Sequence, residues 1–270
     1  EPPETMSHTT CTATAPCWST LASKALAGDR LTLDEGVSVL QASDDEVLGI
    51  LHAAFRVRRH YFGKRVKLNM LMNVKSGHCP EDCGYCSQSK VSSAPIQKYT
   101  MLDKASILAG AQEAIARQAG TFCIVASGRG PSAKMVDQVA EAVSEIKATS
   151  NLKICACLGI LKPGQAEKLR AAGVDRYNHN LNTSANNYDK ICQTHGYDHR
   201  VQTVEKAKAA GISPCSGVIV GMGETNEDIV QMAWALRELN ADSIPVNFLH
   251  AIEGTPLEGH HDLTPQRCLK

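Results

Sequence analysis

Three cysteines fall within one short stretch: Cys79, Cys83 and Cys86, in residues 76–90 (SGHCPEDCGYCSQSK). Gly77, Pro80 and Gly84 make this loop-forming sequence, so the C-x3-C-x2-C thiolates can converge on one centre. A structural zinc normally takes four ligands in two separated pairs, and no partner C-x-x-C follows. A redox pair made of Cys83 and Cys86 would leave Cys79 idle. Iron–sulfur clusters are usually held by four cysteines. Three leave one iron with an open position for a substrate or cofactor, and this open cluster is the reading that the spacing favours.

A second set is dispersed. Cys123, Cys155 and Cys215 fall in β-rich runs, and Cys157 shares the facing of Cys155 as a rival to it. A buried strand cysteine is usually a small hydrophobe, so each alone carries nothing; three on nearby strands are harder to dismiss. Asn178, Asn180 and Asn182 lie in RYNHNLN, and Asn247 in SIPVNFL. Amides donate and accept without charge, which suits a polar, uncharged ligand, although Asn in loops is usually turn chemistry. His179 alternates to the opposite face and reads as a satisfied packing histidine, His78 as solvated. Cys11, Cys17, Cys192 and Cys268 read as incidental thiols.

These residues need elements to hold them. Strand-like runs at 67–74, 121–126, 153–158, 176–181, 213–220 and 243–249 alternate with helical patterns at 103–118, 132–147, 164–172, 199–210 and 226–239. Gly120, Gly173 and Gly211 read as helix stops. Six successive βα units predict parallel strands with right-handed crossovers. No G-x-G-x-x-G follows the first strand, which weakens an open dinucleotide-binding sheet. Polar residues at alternate positions of several strands instead suit a barrel lumen holding a ligand. The expected fold class is α/β, a TIM-type (β/α) barrel. About 200 residues follow the first strand, whereas eight units need roughly 250, so the barrel reads as incomplete at its C-terminal side. The expected division is a mobile tail over 1–25, helices packing on the barrel over 26–66 (broken near 42–44), and the barrel over 67–270.

Composition narrows the class. The 28 basic and 28 acidic residues cancel, 43% of residues are hydrophobic, and there are 11 cysteines. The apolar fraction excludes a disordered chain, neutrality argues against a nucleic-acid partner, and no apolar run suits a membrane span. An odd cysteine count in a chain this long predicts reduced thiols and a cytoplasmic setting. Both ends read as artificial: Met6 is a more natural start, and LTPQRCLK ends on a helix just begun, with Thr264 as cap and Pro265 at its first position.

The cysteine loop, with Tyr85 before its last Cys, resembles that of the radical S-adenosylmethionine enzymes, and Gly217, Ile219, Gly221 and Glu224 resemble their adenine-contacting strand. KSGHCPEDCGYCSQS, YNHNLNTS, CSGVIVGMGET and DSIPVNFLHAIEGTPL narrow the resemblance to the biotin synthase family, from about residue 30 onward. The resemblance implies a 4Fe–4S cluster on Cys79, Cys83 and Cys86 and S-adenosylmethionine at Tyr85, Asn180, Asn182, Gly217 and Ile219. It implies a 2Fe–2S cluster on Cys123, Cys155 and Cys215, Cys155 being selected over Cys157 by C-x-x-L-G. Dethiobiotin would bind at Asn178, Asn180 and Asn247. Asn182 stands where some members have Asp, which implies a weaker hold on the ribose. It also implies an electron donor such as flavodoxin or ferredoxin, and a homodimer. The family's arginine ligand to the second cluster falls beyond residue 270, and Arg129 does not match its motif, so this chain is expected to hold that cluster poorly. Two other readings stay open: another radical enzyme of cofactor maturation, and a zinc or redox thiol module.

Overall fold

The computed structural model describes residues 17–270, and the readings placed on Met6 and Cys11 lie outside them. Two units emerge: the described residues through Arg65 together with Thr264–Lys270, and Val66–Leu263.

The first unit is helical: α1 (Trp18–Leu26), α2 (Leu33–Gln41), a 3-10 turn (Asp44–Glu46) and α3 (Val47–Phe62). Thr32 and Glu35 cap the start of α2 reciprocally, and Ser43 with Glu46 repeats the device at the turn, which produces the expected break. Helix α1 occupies residues that the sequence reading left in a tail. The Thr/Pro-rich composition ends at Pro16, and Trp18, Leu21, Ala22 and Ala25 then follow helical spacing, with Leu21 and Ala22 buried. The last helix of the chain, Pro265–Leu269, starts at Thr264 and Pro265 as expected and falls in this unit, not with the strands.

The second unit alternates strand and helix: β1 (Asn69–Lys75), α4 (Lys104–Ala116), β2 (Thr121–Ala126), α5 (Ala133–Thr149), β3 (Lys153–Cys157), α6 (Gln165–Ala171), β4 (Arg176–Asn178), α7 (Ala185–Ile191), α8 (Tyr197–Ala209), β5 (Ser213–Cys215), β6 (Val218–Val220), α9 (Asn226–Glu238) and β7 (Val246–Phe248); the terminal helix is α10. Strands β1 to β5 form one parallel sheet in sequence order, and β6 and β7 pair in parallel. Parallel bridges Asn182–Val218 and Cys215–Ser243 carry the arc from the first sheet to the second. The stretch expected as one fifth strand is thus two. At Gly217 an added Cβ would lie 2.0 Å from the Pro245 carbonyl, so the backbones nearly touch where the strand breaks. Gly173 and Gly211 end their helices at positive φ, whereas after α4 Gln118 takes that role and Gly120 enters β2.

Alternation along the strands separates packing from chemistry. Phe122, Ile124, Ile154, Ala156 and Tyr177 point outward into a core shared with the helices. Cys123, Cys155, Cys157, Arg176 and Asn178 take the opposite parity and line the inner cavity. Among the described residues no helix is long and apolar enough to cross a membrane.

Candidate active site

The loop after β1 is wound by its own backbone. Cys86 N–H donates to the Cys83 carbonyl (3.1 Å) and Ser89 N–H to that of Cys86 (3.1 Å), while Gly84 N–H reaches the Ile191 carbonyl (2.9 Å). Gly77 sits at φ +67° and donates to Gln88 Oε1 (2.8 Å), a conformation that favours glycine. The winding brings Cys79, Cys83 and Cys86 to one cleft of about 220 Å³. Burial pushes the Cys79 and Cys86 thiols up. Contact with the Cys192 thiol, then burial, raises Cys83.

Arg200 on α8 forms the cleft's charged wall. It is buried, its Nε donates to Tyr188 Oη, its Nη1 to the Asn180 carbonyl (2.9 Å), and its Nη2 to His195 Nε2 (2.8 Å). His195 in turn meets Glu81 through Nδ1, which fixes the tautomer with the proton on Nδ1. Asn182 sits at φ +70°, tolerated by asparagine. With its amide oxygen turned inward it accepts from Tyr85 Oη (2.6 Å) and from both Arg200 Nη atoms (3.2 Å each). A guanidinium has five N–H donors in a fixed fork, and Tyr188, the Asn180 carbonyl, His195 and the twice-accepting Asn182 oxygen take all five, so this arginine locks the cleft wall and presents its charge there.

Below the cleft a second cavity of about 270 Å³ holds Cys123, Cys155, Cys157 and Cys215 with Asn247. Cys123 and Cys155 are register partners on β2 and β3, and their thiols interact, lowering Cys123 and raising Cys155. Burial pushes Cys157 up to about 12. Asn178 Nδ2 donates to Asn180 Oδ1 (3.0 Å) and to Cys215 Sγ (3.2 Å), and Asn180 Oδ1 also accepts from Gly217 N–H (3.1 Å). Asn178, Asn180 and Cys157 line both cavities. The amide pair is therefore a shared wall between the two thiol sets.

The donor sets fit iron–sulfur groups. Each is all-sulfur: three thiols from the single loop after β1, and four from strands β2, β3 and β5. The second cavity also contains an orphaned donor: Arg176 Nε, buried without a partner, beside Cys155 in register. A cationic donor left open among thiols fits an anionic group.

Ile219 donates its backbone N–H to the Asn182 carbonyl (2.7 Å), and Asn247 Nδ2 donates to the Val218 carbonyl (3.2 Å). Glu224 does not enter the cleft through its carboxylate; it closes the turn by accepting from Gly221 and Met222 N–H (2.6 and 2.8 Å). His179 is buried, but its Nε2 has no partner, so it is not the satisfied histidine expected; burial holds it well below the ordinary imidazole value. Cys192, read as incidental, lies 3.7 Å from Cys83, and with Cys83 and His195 it forms a group of donor atoms all within 4.8 Å of one another. Arg200, His195 and Glu81 were not read as site residues. One signal was present: Arg200, Thr203, Val204 and Ala207 form the buried stripe of α8, and an arginine on such a stripe must have partners.

This arrangement of a three-thiol loop after the first strand of a β/α barrel agrees with the comparisons. The sequence profile of the Radical SAM superfamily matches residues 73–234, and the chain is a member of that superfamily. The structure is similar to methylornithine synthase (TM-score 0.81, 24% identity, 91% of this chain and 72% of that one) and to a maturase of the FeFe-hydrogenase (TM-score 0.79, 18% identity, 95% and 60%), which shows the fold alone. Within the superfamily the chain belongs to the biotin synthase family. It is 62% identical over 253 residues to the biotin synthase of Bacillus licheniformis and 59% to that of Bacillus subtilis, covering 94% of this chain and 76% of each relative. It is a radical S-adenosylmethionine sulfurtransferase with 4Fe–4S and 2Fe–2S clusters.

Proposed function

We propose that the two cavities divide the biotin synthase reaction between them, with dethiobiotin held at their shared wall. Cys79, Cys83 and Cys86 hold the 4Fe–4S cluster. Tyr85, Asn180, Asn182, Gly217 and Ile219 hold S-adenosylmethionine, and Arg200 fixes Asn180 and Asn182 in place and sets a positive charge beside that cofactor's carboxylate. Cys123, Cys155 and Cys215 hold the 2Fe–2S cluster. Asn178, Asn180 and Asn247 orient dethiobiotin through its uncharged ureido ring.

A C–H bond on a saturated carbon has no useful acidity, so no base in the cleft can open it. When bound, the cofactors supply radical cleavage of that bond and a sulfur donor. The chain's own residues place the substrate and exclude water. The observation that carries this reading is the amide pair Asn178–Asn180, which lines both thiol cavities at once. Amides there fix the substrate without putting a charge between the two sites.

The reading also takes an electron donor such as flavodoxin or ferredoxin, a homodimer and a cytoplasmic setting. The ten described cysteines are all free, which supports a reducing compartment.

The test is anaerobic reconstitution with iron and sulfide, then assay with dethiobiotin, S-adenosylmethionine and a reductant, comparing the chain with Cys83→Ala. The unaltered chain is expected to absorb at roughly 400 nm, where thiolate-bound clusters absorb, and to form biotin at a low level set by how much of the 2Fe–2S cluster it retains. Cys83→Ala should lose both biotin formation and S-adenosylmethionine cleavage. Cofactor cleavage without loss of dethiobiotin would point to another radical enzyme. Colourless protein with one bound zinc would point to a thiol module.

A further inference from the structure

Cys192 has no part in that reading, yet it is 3% exposed and its Sγ lies in van der Waals contact with Cys83 Sγ at 3.7 Å. Its other neighbours are Asp82 Oδ1 (3.2 Å), His195 Nδ1 (3.3 Å) and Thr194 Oγ1 (3.5 Å). The two backbones are fastened on either side of the pair. Gly84 N–H donates to the Ile191 carbonyl (2.9 Å), and Asp82 Oδ1 accepts from the N–H groups of Gln193 and Thr194 (3.0 and 3.1 Å). Neighbouring residues on both segments are thus already hydrogen-bonded, and bond formation brings the sulfurs from 3.7 Å to about 2.0 Å. The pair is asymmetric. Cys83 lines the cleft, whereas Cys192 stands behind it, off the cleft surface. Of these two sulfurs, a small oxidant entering the cleft meets Cys83 first.

We propose that Cys83 and Cys192 form a reversible disulfide whenever the 4Fe–4S cluster is absent, with a peroxide as oxidant. The inference rests on the assignment of Cys83 as a cluster ligand. Hydrogen peroxide oxidises the Cys83 thiol to a sulfenic acid, its O–O bond breaking and one water leaving. The Cys192 sulfur then attacks that sulfur; the S–S bond forms, the S–O bond breaks, and the hydroxide takes the Cys192 proton to leave as a second water. Two thiols are oxidised by two electrons and one peroxide is reduced. The disulfide removes Cys83 from the ligand set but protects it, because a thiol reductant restores it, whereas sulfinic acid is not restored that way.

The experiment uses the full chain, loaded and then stripped of its clusters by a chelator under argon. The stripped chain is treated with hydrogen peroxide, its remaining thiols are alkylated, and the digest is mapped without reduction. A Cys83–Cys192 linked peptide is expected, with iron uptake after dithiothreitol returning to that of the untreated chain. In Cys192→Ala and Cys192→Ser, kept as a pair in case one fails to fold by circular dichroism, Cys83 should appear as sulfinic acid. Their iron uptake after dithiothreitol should be at least about two-fold below that of the unaltered chain, since this oxidation is irreversible. The proposal is overturned if wild-type Cys83 is found as sulfinic acid or joined to Cys79 or Cys86, or if the variants recover iron as fully as wild type. Failure of the ligand assignment shows separately: an untreated Cys83→Ala chain would then assemble its cluster normally, whatever the peptide map shows.

Discussion

Arg200 shows how one charged side chain is made safe inside a protein. A buried guanidinium without partners is costly, and here Tyr188, the Asn180 carbonyl, His195 and the Asn182 amide oxygen take its donors. Lysine would keep the charge but lose the fork. Arg200→Lys should therefore raise the KM for S-adenosylmethionine by about 10- to 100-fold, about 1.4–2.8 kcal/mol, while the cluster absorption stays unchanged. An unaltered KM would remove Arg200 from the cofactor site. At this scale the sequence was informative where chemistry clusters locally, as in Cys79, Cys83 and Cys86, and silent where partners are distant. Cys192 is 109 positions from Cys83, and His195 is 114 from Glu81. No local pattern announces such a pair, because only the fold brings them together.

Gly217 makes the same point for elements. The run 213–220 has strand composition throughout, but the approach of Pro245 breaks it into β5 and β6. That break lets Gly217 N–H hold Asn180 Oδ1 and its carbonyl accept from Asn182 N–H (3.0 Å). Gly217→Ala puts a methyl against a carbonyl and should cost about 1–3 kcal/mol in thermal or urea unfolding, as overpacking does. It should also raise the KM for dethiobiotin, because Asn180 loses its support. Normal stability and KM together would show that β6 and β7 can separate freely. The βα rhythm itself was legible, since long helices with periodic apolar faces alternate with short β-rich runs. Helix α7 was not: its seven residues, ANNYDKI, are mostly polar, and beyond Ser184 at its cap only the short Tyr188–Ile191 spacing marks a packed face.

Across the whole second unit, isolated carboxylates tie elements that lie apart in sequence. Asp175 accepts from Lys147 (2.7 Å) on α5 and from Lys153 (3.1 Å) and Ile154 N–H (2.9 Å) on β3. Asp228 on α9 accepts from Ser184 Oγ (2.6 Å) at the start of α7. Burial pushes both carboxyls up, but these bonds outweigh it and hold each below the usual aspartate value. A depressed folded value means that the native state binds fewer protons than the unfolded chain. Their stabilisation is present above about pH 4, the unfolded aspartate value, and is lost as pH falls below it. Asp175→Asn and Asp228→Asn should each cost about 1–3 kcal/mol at neutral pH. The double variant's urea midpoint should fall less steeply than wild type below about pH 4; an identical slope would assign acid unfolding to other groups.

The inward and outward parities of β2 and β3 carry a consequence for how this protein can change. Phe122 and Ile124 face the helices while Cys123 faces the lumen, and Ile154 and Ala156 alternate in the same way with Cys155 and Cys157. Point substitutions can therefore remodel the lumen while leaving the scaffold intact, or the reverse. Loss of a single codon inside either strand would exchange the two faces beyond it, sending thiols into the helix layer and bulky apolar groups into the cavity. Substitution, not insertion or deletion, is the mode of variation these strands can survive.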